Sequence, residues 1–293
     1  MIKRVFGLAI IPFLLLSSAC SAPLQRVVRL VQTVAPTQLQ PIPLLPAYTP
    51  SPDVARLSIA ASMTDQARAI FMAAQPSIDT DRLTFSRHCG VRLDNETVEL
   101  GCYTADQRIF ILMLGDERLK PEMAVVAAHE MLHAAYDQLT REQQTALNAQ
   151  LEAQVALIHS QDLAQRLRTY RILEPGQRDN ELHSIIGSEF APLSSSLERY
   201  YGQYFANRQT VVAQAVAFDK LFSQLRANMD TLQGRLAKMR QQLQTYSGRH
   251  SIAAYNKLVP QYNALVQQYN QTVRDYNALS RNLLGEETPA ATQ

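Results

Sequence analysis

Arg108-Ile-Phe-Ile-Leu-Met-Leu114 and, a few residues on, Pro121-Glu-Met-Ala-Val-Val-Ala-Ala-His-Glu-Met-Leu-His133 are the segments on which the fold of this chain turns. The first is apolar and bounded by polar residues and Gly115, so it reads as a short buried strand. Pro121 suits a first helical turn, where its missing N–H leaves nothing unpaired, and Glu122 beside it favours the positive helix end. The spacing predicts a helix from about 121 to 138. On that helix His129 and His133 are four apart, which puts both imidazoles on one face, one turn from each other.

Two imidazoles at that spacing can bind one tetrahedral zinc ion, and Glu130 between them would stand beside a metal-bound water. Zinc lowers the pKa of such a water to roughly 7, so that Glu130 can take its proton and release a nucleophile. A catalytic ion also needs a third protein ligand and an open corner facing a groove. A strand followed by a helix bearing His129-Glu130-x-x-His133 resembles the zincin metallopeptidases. The resemblance implies a strand lining a substrate cleft, a helix flooring it, Zn2+ as cofactor and a protein or peptide substrate. It implies Glu130 as the general acid/base. Tyr136 and Leu139 stand where metzincins continue their motif, which excludes that branch.

The third ligand lies further along. His159, Asp162, Glu174, Glu181, His183 and Glu189 are the candidates. Asn180–Phe190 reads as a helix that combines Glu and His with small residues, and Ser184 and Gly187 would let it pack closely on the motif helix. This resembles the gluzincin branch, and also a group of bacterial metallopeptidase lipoproteins with a distant third ligand. The resemblance implies Glu181 as that ligand, with Pro192 eleven residues on. His183 is the alternative, as ligand or as a group for the transition-state oxyanion, and Glu189 is a further candidate. The 47 residues between His133 and Glu181 would place the helices of 141–173 over the cleft. Asp137 either orients a ligand imidazole or ends its helix near solvent. Tyr200, Tyr201 and Tyr204 either offer a hydroxyl to the oxyanion or pack as aromatics. His88, His159 and His250 read as surface residues.

The start of the chain reads as an export signal. Lys3 and Arg4 precede an apolar run from Val5 to Leu16, too short to span a bilayer, and Ser17-Ser18-Ala19 are small. Leu16-Ser-Ser-Ala-Cys20 resembles a bacterial lipobox, although Ser17 occupies the usual Leu position. That resemblance implies acylation at Cys20 and a membrane-anchored lipoprotein of the cell envelope, facing the periplasm or the exterior. An ordinary cleavage after Ala19 or Ala22 is the alternative. Residues 21–52 carry seven prolines and read as an extended tether without helix. Apart from Cys20, the chain has Cys89 and Cys102. The segment between them reads as two short strands around an Asp94-Asn95 turn, which would bring the cysteines together as a disulfide in an oxidising compartment. Two thiols on zinc is the weaker reading, because the paired C-x-x-C spacing is missing.

Residues 53–206 thus read as the zincin-like unit, and 207–284 as something else. There, Val211, Ala215, Phe218, Phe222, Leu225, Met229, Leu232, Leu236, Met239, Leu243 and Tyr246 step by four and three without a break. Ser247-Gly248-Arg249 interrupts them. A second array follows, with Leu258, Leu265, Val273, Leu279 and Leu283 alternating with Tyr-Asn pairs at 255, 262, 269 and 276. Two such stripes predict an antiparallel coiled-coil hairpin, with Pro260 kinking the second arm or delaying its start. The arms either pack on the enzyme or serve a partner or self-association. Residues 285–293 read as a disordered tail. The expected class is α+β: a small mixed or antiparallel sheet with zincin-type helices, then the hairpin.

Charge divides along the chain, at +4 for residues 1–52, −7 for 53–206 and +5 for 207–293. The cations of the last part are scattered, and no nucleic-acid motif is present. Two functions follow. One is an exported, membrane-tethered zinc peptidase. The other is a non-enzymatic envelope scaffold that works through the hairpin, its zinc site structural or vestigial.

Overall fold

The computed structural model describes residues 48–90, 98–173 and 176–284. The export signal with Cys20, the tether up to residue 47, the Asp94-Asn95 turn and the tail at 285–293 lie outside the described residues. Helices dominate. In chain order they are α1 (Pro52–Ala60), α2 (Asp65–Ala73), α3 (Arg82–Cys89), α4 (Lys120–Asp137), α5 (Arg141–Val155), α6 (Gln161–Leu173), α7 (Arg178–Glu189), α8 (Ser195–Tyr201), α9 (Arg208–Gly248) and α10 (Ile252–Leu284). Three strands, β1 (Ser77–Asp79), β2 (Gly101–Tyr103) and β3 (Ile109–Leu112), form a sheet of order β1-β3-β2. β1 runs parallel to β3 and β2 antiparallel, so the α+β class is met by a small mixed sheet.

Local chemistry sets most of the helix starts. Ser51, Thr64 and Asp81 cap α1, α2 and α3 with side-chain oxygens. Pro52 opens α1 rather than ending a tether, because a first-turn residue needs no N–H partner. Thr140 and Gln143 form the reciprocal capping box that their spacing suggests.

The region of the cysteines departs from expectation. Cys89 does not lie on a hairpin strand. It ends helix α3, and Gly90 closes that helix at φ 63°, a left-handed conformation that suits a residue without Cβ. β2 pairs forward with β3, Cys102 facing Phe110, rather than back towards Cys89. A disulfide still joins Cys89 to Cys102, here tying a helix end to an edge strand.

The sheet lies against α4, which in turn packs on α1, α2, α7 and α9. Every residue of α4 from Glu122 to Tyr136 is buried. α5 and α6 pack on α7, so they brace that helix from outside rather than roofing a cleft. α9 and α10 fold back on each other through a turn at 249–251. At 1.5 Å per residue they are about 60 and 50 Å long. α10 is continuous through Pro260, an exposed position. Val211, Ala215, Phe218, Phe222, Leu279 and Leu283 join the same hydrophobic core as the sheet and α4, so the boundary drawn at 206/207 runs between elements that share one core. Among the described residues, no helix is long and apolar enough to cross a membrane.

Candidate metal centre

α4 and α7 together build the site. Gly187 sets their distance: a Cβ there would meet Leu132 of α4 at 2.6 Å and the Tyr201 ring at 2.5 Å. Real side chains do not tolerate such contacts, so only glycine lets the two helices come this close. The approach brings Glu181 between the two imidazoles. Its Oε2 lies 3.6 Å from His129 Nε2, and its Oε1 lies 3.7 Å from His133 Nε2. Ligand atoms about 2.1 Å from a tetrahedral ion stand roughly 3.4 Å apart, so the three groups fit one small cation. His129, His133 and Glu181 can therefore hold a metal ion.

The tautomer of His133 suits that role. Asn180 Oδ1 accepts from its Nδ1 at 2.9 Å, and an amide oxygen can only accept, so the proton is on Nδ1 and the Nε2 lone pair points at Glu181. Ser184 Oγ stands 3.1 Å from the same Nδ1. Burial pushes the ring's pKa down to about 3 despite the Asn180 bond, which keeps the imidazole neutral, the form that ligates. The Asn180 amide donates onward to Asp137 Oδ1 at 3.3 Å. Asp137 thus acts on His133 at one remove, through Asn180, while itself reaching solvent. Burial and the neighbouring Asp137 push the Tyr103 hydroxyl up to about 12. That tyrosine belongs to β2, so the network runs from the edge strand to the imidazole.

Glu130 is buried and faces the same strand. A Cβ at Gly101 would sit 2.9 Å from Glu130 Oε1 and 2.4 Å from Val126. The strand backbone is therefore pressed against α4 where the acid sits.

His183 is placed elsewhere. Its Nε2 bonds the Tyr200 hydroxyl at 3.1 Å, its ring stacks on Tyr201 at 5.4 Å, and Tyr136 lies 5.3 Å away. Burial, with His133 nearby, pushes its pKa down to about 3. It belongs to an aromatic cluster with Tyr136, Tyr200 and Tyr201, and it is Glu181 that joins His129 and His133 in the group that could hold a metal ion. Tyr204 meets Tyr200 edge to face at 5.6 Å, and Tyr200 meets Tyr201 in the same way at 5.1 Å, so the three tyrosines pack together. Glu189 is not part of the group that could hold the ion. It lies on the Nδ1 side of His129 and is held by Arg166. His88, His159 and His250 are exposed, and His88 Nδ1 contacts Asp79 at 2.8 Å.

Among the described residues, the open groove expected over the centre is replaced by a closed wall. His129, His133 and Glu181 are 0% exposed and Glu130 1%. A groove of about 650 Å³ lies instead beyond Glu189, lined by Arg166, Phe190, Val212, Phe218 and Phe222 among others. Asn180 and Arg166 escaped the sequence reading. An asparagine directly before a candidate ligand was the available signal for the first, whereas nothing in sequence links Arg166 to the site.

No protein-family model matches this chain, and neither does any curated protein or solved structure.

Proposed function

We propose that the protein is a zinc-dependent peptidase, exported and tethered to the cell envelope by its N-terminal segment. The observation that carries this reading is Glu181 set between two buried imidazoles, with Glu130, the residue that follows His129, buried on the same helix. A purely structural ion held by three ligands needs no such carboxylate on the same helix, whereas a peptidase needs one as its general base. His129, His133 and Glu181 would hold the zinc, which supplies Lewis acidity and lowers the pKa of bound water. Glu130 takes a proton from the attacking water and returns it to the leaving amine. Asn180 and Ser184 keep His133 in place. Access to substrate requires the wall over the centre to move. The disulfide supports an oxidising compartment. The period of the stripes on α9 and α10 supports a coiled-coil hairpin.

Complete burial of the ligands favours the second reading, a scaffold with a structural or vestigial ion. Casein and a mixed-peptide substrate, assayed with and without a chelator, separate the two. A peptidase loses cleavage with chelator and in Glu130→Gln while that variant still binds one zinc. Cleavage at full rate in Glu130→Gln overturns the peptidase. A zinc-loaded protein that cleaves neither substrate is the scaffold.

A further inference from the structure

His129 lies between two carboxylates. Glu181 Oε2 is 3.6 Å from its Nε2, and Glu189 Oε1 is 3.9 Å from its Nδ1. Both come from α7, eight residues apart, one at each side of the ring. Glu189 is not a loose surface acid. Arg166 of α6 grips it with two nitrogens, at 2.7 and 3.0 Å, and the two side chains are only 6% and 9% exposed. Burial alone would lower the Arg166 pKa, but Glu189 outweighs it and holds the guanidinium charged. Such a pair is costly to bury and adds little net stability over apolar side chains of similar size. Its position gives it another use.

We propose that Glu189 is a positioning residue for His129, held in place by Arg166. Glu189 Oε1 is the acceptor that faces the Nδ1 side of the ring, 3.9 Å away, so the ring keeps its proton on Nδ1 and turns the Nε2 lone pair towards Glu181 and the cation. This rests on the metal-site reading above. The two imidazoles are thereby fixed by different chemistry from one helix: a neutral amide, Asn180, on His133 and an arginine-held carboxylate on His129. The negative charge makes His129 the stronger donor of the two. Because α6 supplies Arg166, that helix is coupled to the metal although it contributes no ligand.

Two measurements test this. In the metal-free protein labelled with 15N-histidine, two-bond proton–nitrogen correlations report the tautomer of each ring. His129 is expected with its proton on Nδ1. A proton on Nε2, with Nδ1 bare, overturns the proposal without any variant having to fold and without any metal. The second compares zinc affinity, by chelator competition, in Arg166→Met/Glu189→Leu and Arg166→Met/Glu189→Gln. Both remove the charges together, so neither leaves an ion buried alone. The Leu variant is expected to lose about 10- to 100-fold in zinc affinity. The Gln variant keeps an acceptor for Nδ1 and should recover most of it. Equal affinity in the Leu variant and the wild type makes the pair merely structural and overturns the proposal. Failure of the wild type to bind zinc at all would instead sink the metal-site reading and leave the tautomer result standing.

Discussion

α4 and α9 are both long helices, yet they face opposite problems. α4 is buried from Glu122 to Tyr136 on all sides. α9 carries a regular stripe, but only part of it is covered. Val211, Val212, Ala215, Phe218, Phe222 and Met229 are buried, whereas Leu232, Leu236, Met239, Leu243 and Tyr246 are half-buried. The same apolar spacing therefore has two meanings along one helix. Near Arg208 it is part of the core that supports the candidate metal centre. Further out, among the described residues, it faces α10. A helix enclosed on every side can hold imidazoles and carboxylates away from water. A helix with one covered stripe cannot, and α9 accordingly places polar residues outward and none at the centre.

The largest contrast should come from two truncations on α9. Phe218→Ala removes a ring packed on Phe222 at 5.2 Å and should cost about 3–5 kcal/mol in denaturant unfolding. Leu236→Ala, in the half-buried stretch, should cost about 1 kcal/mol or less. Equal losses would mean that the outer stripe is as tightly covered as the inner one, and the comparison would fail.

Next in size is the contact between α4 and α7. Gly187→Ala forces a methyl to within 2.6 Å of Leu132, which overpacking data put at about 1–3 kcal/mol. Under the proposed metal site, binding of zinc should weaken with it, since the two helices share the candidate ligands. A variant that loses stability while binding the ion normally would show that the spacing between the helices does not set the site.

A smaller, pH-dependent effect belongs to the joint where α9 begins. Arg208 donates to the carbonyls of Gly187 and Phe190 at the end of α7 and pairs with Glu198. Burial would raise the Glu198 pKa, but the bonds from Arg208 and the Leu193 amide outweigh it and hold the carboxyl below its ordinary value. A depressed carboxylate adds stability that is full above the unfolded value of 4.5 and is lost as pH falls through the folded one. Melting temperature should therefore fall more steeply below pH 4.5 in the wild type than in Glu198→Gln. Parallel curves would remove the pair from the joint.

The smallest effect has the opposite sign. Among the described residues, nothing lies within 4 Å of a Cβ at Gly234, in the middle of α9. Gly234→Ala should stabilise by about 0.5–1 kcal/mol, by relieving the unfolded chain of glycine's freedom. The two glycines thus report the two environments by opposite responses to one methyl.

How much of this was legible beforehand varies by element. The strand at 109–112, the helix bearing His129 and His133, the capped helix from Arg141 and the two long arms all follow from local pattern. β1, α3 and α8 do not. They are short, and Arg82–Cys89 carries no apolar stripe strong enough to declare a helix. The cysteines were paired correctly through the wrong local geometry, because a disulfide constrains the distance between two residues and not the structure that brings them together. At the site, residue type alone leaves Glu181, His183 and Glu189 all able to ligate, and only the resemblance singles out Glu181.

By itself the sequence determined that two imidazoles share a helical face with Glu130 between them, because a turn of 3.6 residues leaves no other arrangement. It also determined which residues line the arms. Only tertiary structure decided that Glu181 completes the cluster, that Asn180 and Glu189 stand behind the two rings, and that the centre is closed to solvent. Those facts depend on how closely α7 approaches α4, and that distance is set by Gly187 meeting Leu132 and Tyr201 across the fold, a contact between residues far apart in the chain.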